Sequence, residues 1–405
     1  MAVSIRKQIG STMIVVGTEI GAGVLALPIL TAKLGFLFSI ILMVISWITM
    51  TYSALLVADI NLTMPEGTSF GKMSRNLLGR PGEVVSWLSF LFLLYAIIVA
   101  YISAASSAFS FLLPMLNQQW FAVIFVSVLG FCVLKGIGAV DVINRYLLSV
   151  KLVFFLLVCL TFFAYIHPVN LLASNLNQGI ILLALPVIIS SFTSHIIVPS
   201  LRTYLESDAK ALFRVLVIGS TIPLILYVLW EVCLLGTIPL TGPHSFMEAV
   251  FAHKSVTEAN IADILAVVSN KINSPYVRFS INAFSDISVM TSFLGVAMSL
   301  YHFLIDSIGL RNKSNLCKIS VAGTLTLVIP LVIVLLNPNL FVRVMGYVGV
   351  SIAVLVIIMP VLMVRKLCAK NIQLHYRISS MKIMWFIIFL VGCLVIVFEL
   401  FGSSS

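Results

Sequence analysis

Residues 17–28 read "GTEIGAGVLALP". They place Glu19 inside an apolar run, with Gly17, Gly21 and Gly23 around it and Pro28 closing it. A carboxylate at the centre of a membrane helix costs about 2.5–3.5 kcal/mol on insertion scales. The glycines weaken the helix that would carry it. A plain apolar helix would be more stable, so the charged and weakened segment needs a reason.

The surrounding chain is a membrane chain. Its 405 residues are 61% hydrophobic and only 9% charged, with a mean hydropathy of +1.16. A soluble chain carries about a quarter charged residues. Apolar runs long enough for a bilayer-crossing helix recur along the whole length. A β-barrel would instead show strands of about 10 residues with alternating polarity. The sequence therefore predicts an all-α polytopic membrane protein, with spans at 9–33, 36–60, 83–113, 119–135, 142–166, 176–203, 210–238, 278–306, 318–336, 340–364 and 383–401.

The net charge of +10 lies in short loops between spans and reads as topology, not as a nucleic-acid surface. With the N-terminus inside, Lys33, Lys254, Lys271, Arg278 and Arg343 fall outside and Lys151 falls within a span. All other Lys and Arg residues fall on the cytoplasmic side, as the positive-inside rule expects for eleven spans with the C-terminus out. The first apolar run follows Arg6 and Lys7, is too long for a signal-peptide core and lacks a prompt cleavage site, so it reads as a retained span. The six cysteines show no CxxC or metal-ligand spacing and read as free thiols. One long outer loop, 240–276, contains Ile261, Ile264, Leu265 and Val268 at helical spacing. That helix either lies on the outer surface or packs as a lid over an outer vestibule.

A second segment resembles the first in being interrupted. Residues 183–208, "LALPVIISSFTSHIIVPSLRTYLESD", carry Pro186, a hydroxyl-rich stretch and Pro199. Irregular backbone at membrane depth is tolerated only where protein buries it or where it lines a wet cavity. Gly17 and Gly21 alone fit a GxxxG packing face. Paired with a break five spans later, they fit a transporter built from two five-helix repeats, here about 9–166 and 176–364 with an extra helix at 383–401, all one domain. Half-helix ends offer free N–H groups to a carboxylate and free carbonyls to an ammonium, and an α-amino acid presents both.

Five stretches, "IGSTMIVVGTEIGAGVLALPI", "LYAIIVAYISAASS", "DVINRYLLSVKLVFFLLV", "PVIISSFTSHIIVPSL" and "FSDISVMTSFLGVAMSL", resemble segments of the bacterial hydroxy/aromatic amino acid permeases. They lie in spans 1, 3, 5, 6 and 8 in the same order, within the amino acid/polyamine/organocation superfamily. The resemblance implies a LeuT-type five-plus-five inverted repeat with discontinuous helices 1 and 6. It also implies proton-coupled uptake of tyrosine or a related aromatic amino acid across the bacterial inner membrane. Position 19 departs from the family pattern, which has Thr, Val or another uncharged residue there. Substrate or coupling can differ accordingly.

Thr18, Glu19, Gly21, Ala22 and Gly23 at the first break, and Ser190, Ser191, Phe192, Thr193 and His195 at the second, are the expected substrate-binding residues. Tyr95, Tyr101 and Phe192 are candidates for stacking on an aromatic substrate, against the plainer reading of helix packing. Glu19 either meets the substrate ammonium, titrates as a proton site, or is a buried acid bonded to a carbonyl. His195 is either a proton carrier or a satisfied core residue.

Lys151 either snorkels to the interface or, in the implied fold, places an amine in the sodium site between spans 1 and 8. There it would neutralise the loosened span-1 carbonyls and carry the coupling proton. Thr291 and Ser292 are the sodium ligands if sodium drives transport instead. Asp286, one and a half turns earlier, is a further proton-coupling candidate or a satisfied buried acid. Glu231 is an intramembrane acid of unassigned role. Asp59, Glu83, Asp306 and Glu399 lie near span ends, where interfacial solvation suffices.

No nucleotide loop, catalytic set or metal-ligand cluster is present in the sequence, so neither enzyme activity nor a cofactor is expected. The expected partners are an amino acid, protons or sodium, and the bilayer. The rivals are a sodium symporter or exchanger of another neutral amino acid, and a membrane sensor that binds without transport. A sensor would be marked by an appended signalling domain.

Overall fold

The computed structural model describes residues 3–21, 23–174, 178–248, 259–272, 274–310 and 312–402. Among them all regular structure is helical. Nine helical stretches are long and apolar enough to cross a membrane, as the composition requires. The first expected span is not among the nine. It is divided into α1 (Ile5–Glu19) and α2 (Gly23–Leu34). The fourth, α5 (Gln118–Leu134), has only 17 residues.

The other elements are α3 (Phe36–Leu62), α4 (Phe70–Leu112), α6 (Ile137–Phe163), the short α7 (Pro168–Leu172) and α8 (Gln178–Ser190). They continue with α9 (Val198–Tyr204), α10 (Ala209–Thr237), α11 (Ile261–Lys271) and α12 (Pro275–Ser307). Then come α13 (Asn315–Leu336), α14 (Phe341–Ala369) and α15 (Lys382–Gly402). α4 begins earlier than 83 because a short helix precedes the span, set off by Gly79 at φ 76°. Only glycine adopts that backbone without strain.

The helices pack in a definite pattern. α6 lies along α12, and α4 along both α14 and α12. α1 packs on α10, α3 on α10, α8 and α9, and α2 on α8. Close approach depends on missing side chains at several glycines, among them Gly219 and Gly349. A Cβ at Gly219 of α10 would stand 2.6 Å from Val15 Cβ of α1, and one at Gly349 of α14 would stand 2.5 Å from Pro186 Cβ of α8.

Proline leaves a visible mark on α14. Pro360 has no N–H, so the Val356 carbonyl loses its helical partner. The backbone widens into a π turn over Ala353–Ile358, and the Ser53 hydroxyl of α3 donates to the Val356 carbonyl.

The loop helix α11 buries Ile261, Ile264, Leu265 and Val268 against α4 and α12. Asn260 and Asp263 close a capping box at its start. It is therefore an inserted helix, not one lying on a surface. Two span-end acids also depart from expectation. Asp59 is fully buried and accepts from the backbone N–H groups of His375 (2.7 Å) and Tyr376 (3.1 Å), mooring the α14–α15 connection to α3. Glu399 is buried, with its carboxylate against Gly346 of α14. Asp306 is solvent-exposed as expected, and Glu83 is half-buried and pairs with Arg75 at 3.2 Å. All six cysteines are free.

Candidate functional site

The two breaks meet. α1 stops at Glu19 because its next residues leave helical geometry, and this strands the last carbonyls of the helix. Two of those carbonyls find partners on other helices. Lys151 of α6, 2% exposed, extends its ammonium to the Ile20 carbonyl at 2.7 Å. Tyr227 of α10 donates from its hydroxyl toward the Glu19 carbonyl at 2.6 Å. The same hydroxyl lies 3.0 Å from the Ser191 carbonyl, where α8 ends. One proton is thus shared between the loose ends of both broken spans. A cation at the negative end of a helix is favourably placed.

The carboxylate of Glu19 is a different matter. Its side chain is buried, Ser194 of the second break lies beside it, and neither oxygen has a hydrogen-bond partner among the described residues. An ionised carboxylate taken out of water costs several kcal/mol unless a cation compensates it. Gly21 completes the cluster. A Cβ there would stand 3.3 Å from the Tyr101 hydroxyl and 3.4 Å from the Ser292 hydroxyl, so bare glycine lets α4 and α12 close on the break. Gly17, by contrast, has nothing within 4 Å of its missing Cβ, so a Gly17–Gly21 packing face is not formed.

Phe192 is buried edge-on against Tyr227, ring centroids 5.3 Å apart. Ser190 and Ser191 turn their hydroxyls back to the Val187 carbonyl at 2.7 and 3.1 Å. Thr193 is buried at its oxygen and has no hydrogen-bond partner among the described residues. Thr291 donates to the Ser288 carbonyl of its own helix at 3.0 Å. The Asp286 Oδ1 of α12 is buried without a hydrogen-bond partner among the described residues.

Three expected residues stand elsewhere. Thr18 is exposed and bonds the Ile14 carbonyl of its own helix at 2.7 Å, because it points away from the side on which α10 packs. Tyr95 spends its hydroxyl on the Leu325 carbonyl of α13 at 3.1 Å and serves packing. His195 is fully buried beside the Met50 backbone of α3, with neither ring nitrogen in bonding geometry among the described residues. Gly23 opens α2; Ala22 lies outside the described residues.

Tyr227 is the residue that sequence reasoning missed. Among 11 tyrosines in an aromatic-rich chain it carries no distinguishing mark. A weak signal existed in its spacing, four residues before Glu231 on one helix face. Glu231 is buried and meets the Thr31 hydroxyl of α2 at 2.7 Å. α10 therefore holds both halves of the first broken span, α1 through Tyr227 and α2 through Glu231.

Near the start of α1 and just beyond the end of α9, Lys7 pairs with Glu206 at 2.6 Å and stacks over Tyr204. Each charge steadies the other: Glu206 is held below the usual carboxylate range and Lys7 above the usual lysine range. Arg202 of α9, nearly buried, caps the end of α3 through the carbonyls of Asn61 and Met64, the latter at 2.9 Å.

Two interrupted helices meet at their loose ends inside a multi-pass helical membrane protein, an arrangement that transporters use to build a substrate site. The chain belongs to the tryptophan/tyrosine permease family, whose model matches residues 4–399. It is 31% identical to tyrosine-specific transport system 1 of Haemophilus influenzae over 96% of both chains. It is 31% identical to a tryptophan-specific transport protein of Pseudomonas aeruginosa, over 88% of this chain and 85% of that one. It is 30% identical to glutamine transporter 2 of Aliivibrio fischeri over 91% of both. These relatives are named as transporters, and this chain is a transport protein, not an enzyme.

Proposed function

We propose that the protein takes up an aromatic amino acid, tyrosine foremost, by proton-coupled symport across the bacterial inner membrane. In this reading α1 with α2 forms discontinuous span 1 and α8 with α9 forms discontinuous span 6. With α5 counted, the spans number eleven, N-terminus inside and C-terminus outside, in a LeuT-type pair of five-span repeats. The packing pattern supports the repeats. Spans 5 and 8 pack together, as do their five-span counterparts 10 and 3; spans 1 and 7 pack together, as do 6 and 2.

The observation that carries the mechanism is the Lys151 ammonium on the Ile20 carbonyl. A charged lysine neutralises the stranded end of α1, and a deprotonated one releases it, so proton binding and the geometry of the break are linked. Glu19 meets the substrate ammonium. The backbone groups of the second break and the Thr193 hydroxyl receive the substrate's polar groups, and Phe192 and Tyr101 flank its ring. The half containing spans 1, 2, 6 and 7 then rocks against spans 3, 4, 8 and 9 to open the site inward.

The test is uptake of labelled tyrosine into proteoliposomes under an imposed inward proton or sodium gradient, wild type beside Lys151→Ala. Accumulation driven by the proton gradient alone, and lost in the variant, supports the proposal. Accumulation that requires sodium makes Thr291 and Ser292 ion ligands and ends the lysine mechanism. A second reading, uptake of another neutral amino acid, is favoured by the charge at position 19 and by the glutamine-transporting relative. Competition by unlabelled amino acids against labelled tyrosine separates the two.

A further inference from the structure

A cavity of about 630 Å³ opens between α14 and α15, lined by none of the residues of the breaks. Its wall is apolar, built by Val361, Phe386, Phe389 and the ring of Trp385. Its mouth carries two cations, Arg365 and Lys382, and no lining residue is acidic. Both cations are exposed, and neither makes a hydrogen bond or ion pair among the described residues. Trp385 is fixed by an Nε1–H bond to the Ser379 carbonyl at 2.8 Å, so its ring forms a set floor. Phe386 is 69% exposed and Ile383 70%, which puts the cavity on a lipid-facing flank.

The position matters as much as the lining. The cations sit where apolar helices end, at the depth of phospholipid headgroups, and the apolar wall continues toward the hydrocarbon. The connection from Arg365 to Lys382 also carries Lys366, Lys370 and Arg377 and contains no Asp or Glu. Basic pockets between membrane helices on the cytoplasmic side suit anionic headgroups. We infer that this cavity binds an anionic phospholipid, its phosphate between Arg365 and Lys382 and its upper acyl chain along Phe386 and Phe389.

Trp385 supplies the readout. The full chain is reconstituted in phosphatidylcholine vesicles containing a small fraction of acyl-brominated phosphatidylglycerol or acyl-brominated phosphatidylcholine. The contribution of Trp385 is the wild-type fluorescence minus that of Trp385→Phe. Brominated phosphatidylglycerol is expected to quench this contribution at about fivefold lower mole fraction than brominated phosphatidylcholine. The preference should shrink to within about twofold in the exposed double variant Arg365→Gln/Lys382→Gln. Equal quenching by both lipids, or a preference that survives in the double variant, overturns the inference. Loss of the preference in excess inorganic phosphate would assign the site to free phosphate and likewise overturn it. The measurement needs no transport, so its outcome is independent of the transport reading.

Discussion

The two broken spans solve one problem with different chemistry. At the first break the stranded carbonyls are met from outside, by Lys151 of α6 and Tyr227 of α10, and a buried carboxylate is left unmatched. At the second, Ser190 and Ser191 satisfy the Val187 carbonyl of their own helix. The first is therefore coupled to distant helices and to charge, whereas the second, apart from the Tyr227 hydroxyl on its Ser191 carbonyl, is held by bonds within its own helix. Irregular backbone alone marks where a substrate can bind; the groups that answer it show where a transport cycle can be controlled.

The strongest way to break this contrast is Lys151→Met. It keeps the aliphatic stem and removes the ammonium, leaving the Ile20 carbonyl stranded. Removing one partner of a buried charged contact costs about 3–5 kcal/mol, so proton-driven accumulation of tyrosine in proteoliposomes should fall by more than about 100-fold. Unchanged accumulation would return the lysine to a structural role.

Glu19→Gln sharpens the contrast from the other side. The shape is kept and the charge is lost. A hydrogen bond to a charged group contributes about 1.5–3 kcal/mol, so the KM for uptake should rise about 10- to 100-fold. If KM is unchanged and only the response to the proton gradient alters, the carboxylate carries protons and does not hold substrate.

Lys151 was legible because a lone cation in an apolar span has few other reasons to exist. Glu19 was legible for the same reason, and the break around it followed from its glycines. Tyr227 was hidden, since one hydroxyl among many tyrosines acquires meaning only when two carbonyls from separate spans arrive at it. The orientation of Thr18 and Tyr95 was not legible, because sequence proximity to a break, or to a resemblance motif, does not fix which way a side chain points. Asp59 and Glu399 were misread because distance from a span end says nothing of what packs over it. The all-helical, multi-pass fold was legible from hydropathy alone. The division of the first span was foreseeable from glycine and proline, while the capping of its ends was not.

Tyr227→Phe tests the link between the two breaks. It removes one hydroxyl and leaves the ring against Phe192. The Ser191 carbonyl then loses the Tyr227 donor and the Glu19 carbonyl keeps the Gly21 N–H, at a cost of about 1–3 kcal/mol. Uptake should fall about 5- to 100-fold, with thermal stability lowered in parallel. The double variant Ser190→Ala/Ser191→Ala should be far milder, within about threefold in uptake, because each hydroxyl serves a bond within its own helix. A loss as large as that of Tyr227→Phe would show that these hydroxyls do more than hold their own helix.

The smallest effect is expected at the pair that ties the two broken spans together at their exposed ends, Lys7 and Glu206. Glu206 is held below the ordinary carboxylate range by Lys7, so its part of the contact is present above that range and is lost only as pH falls through the lowered value. Lys7 is held above the ordinary lysine range, so its part persists until pH rises through the raised value. The pair is thus charged across the whole interval from about pH 5 to pH 9, and being exposed it is screened by salt. Glu206→Gln should change uptake by less than about twofold, and the pH profile between those limits should match wild type. A displaced profile in this variant would move pH control from the buried lysine to the surface pair.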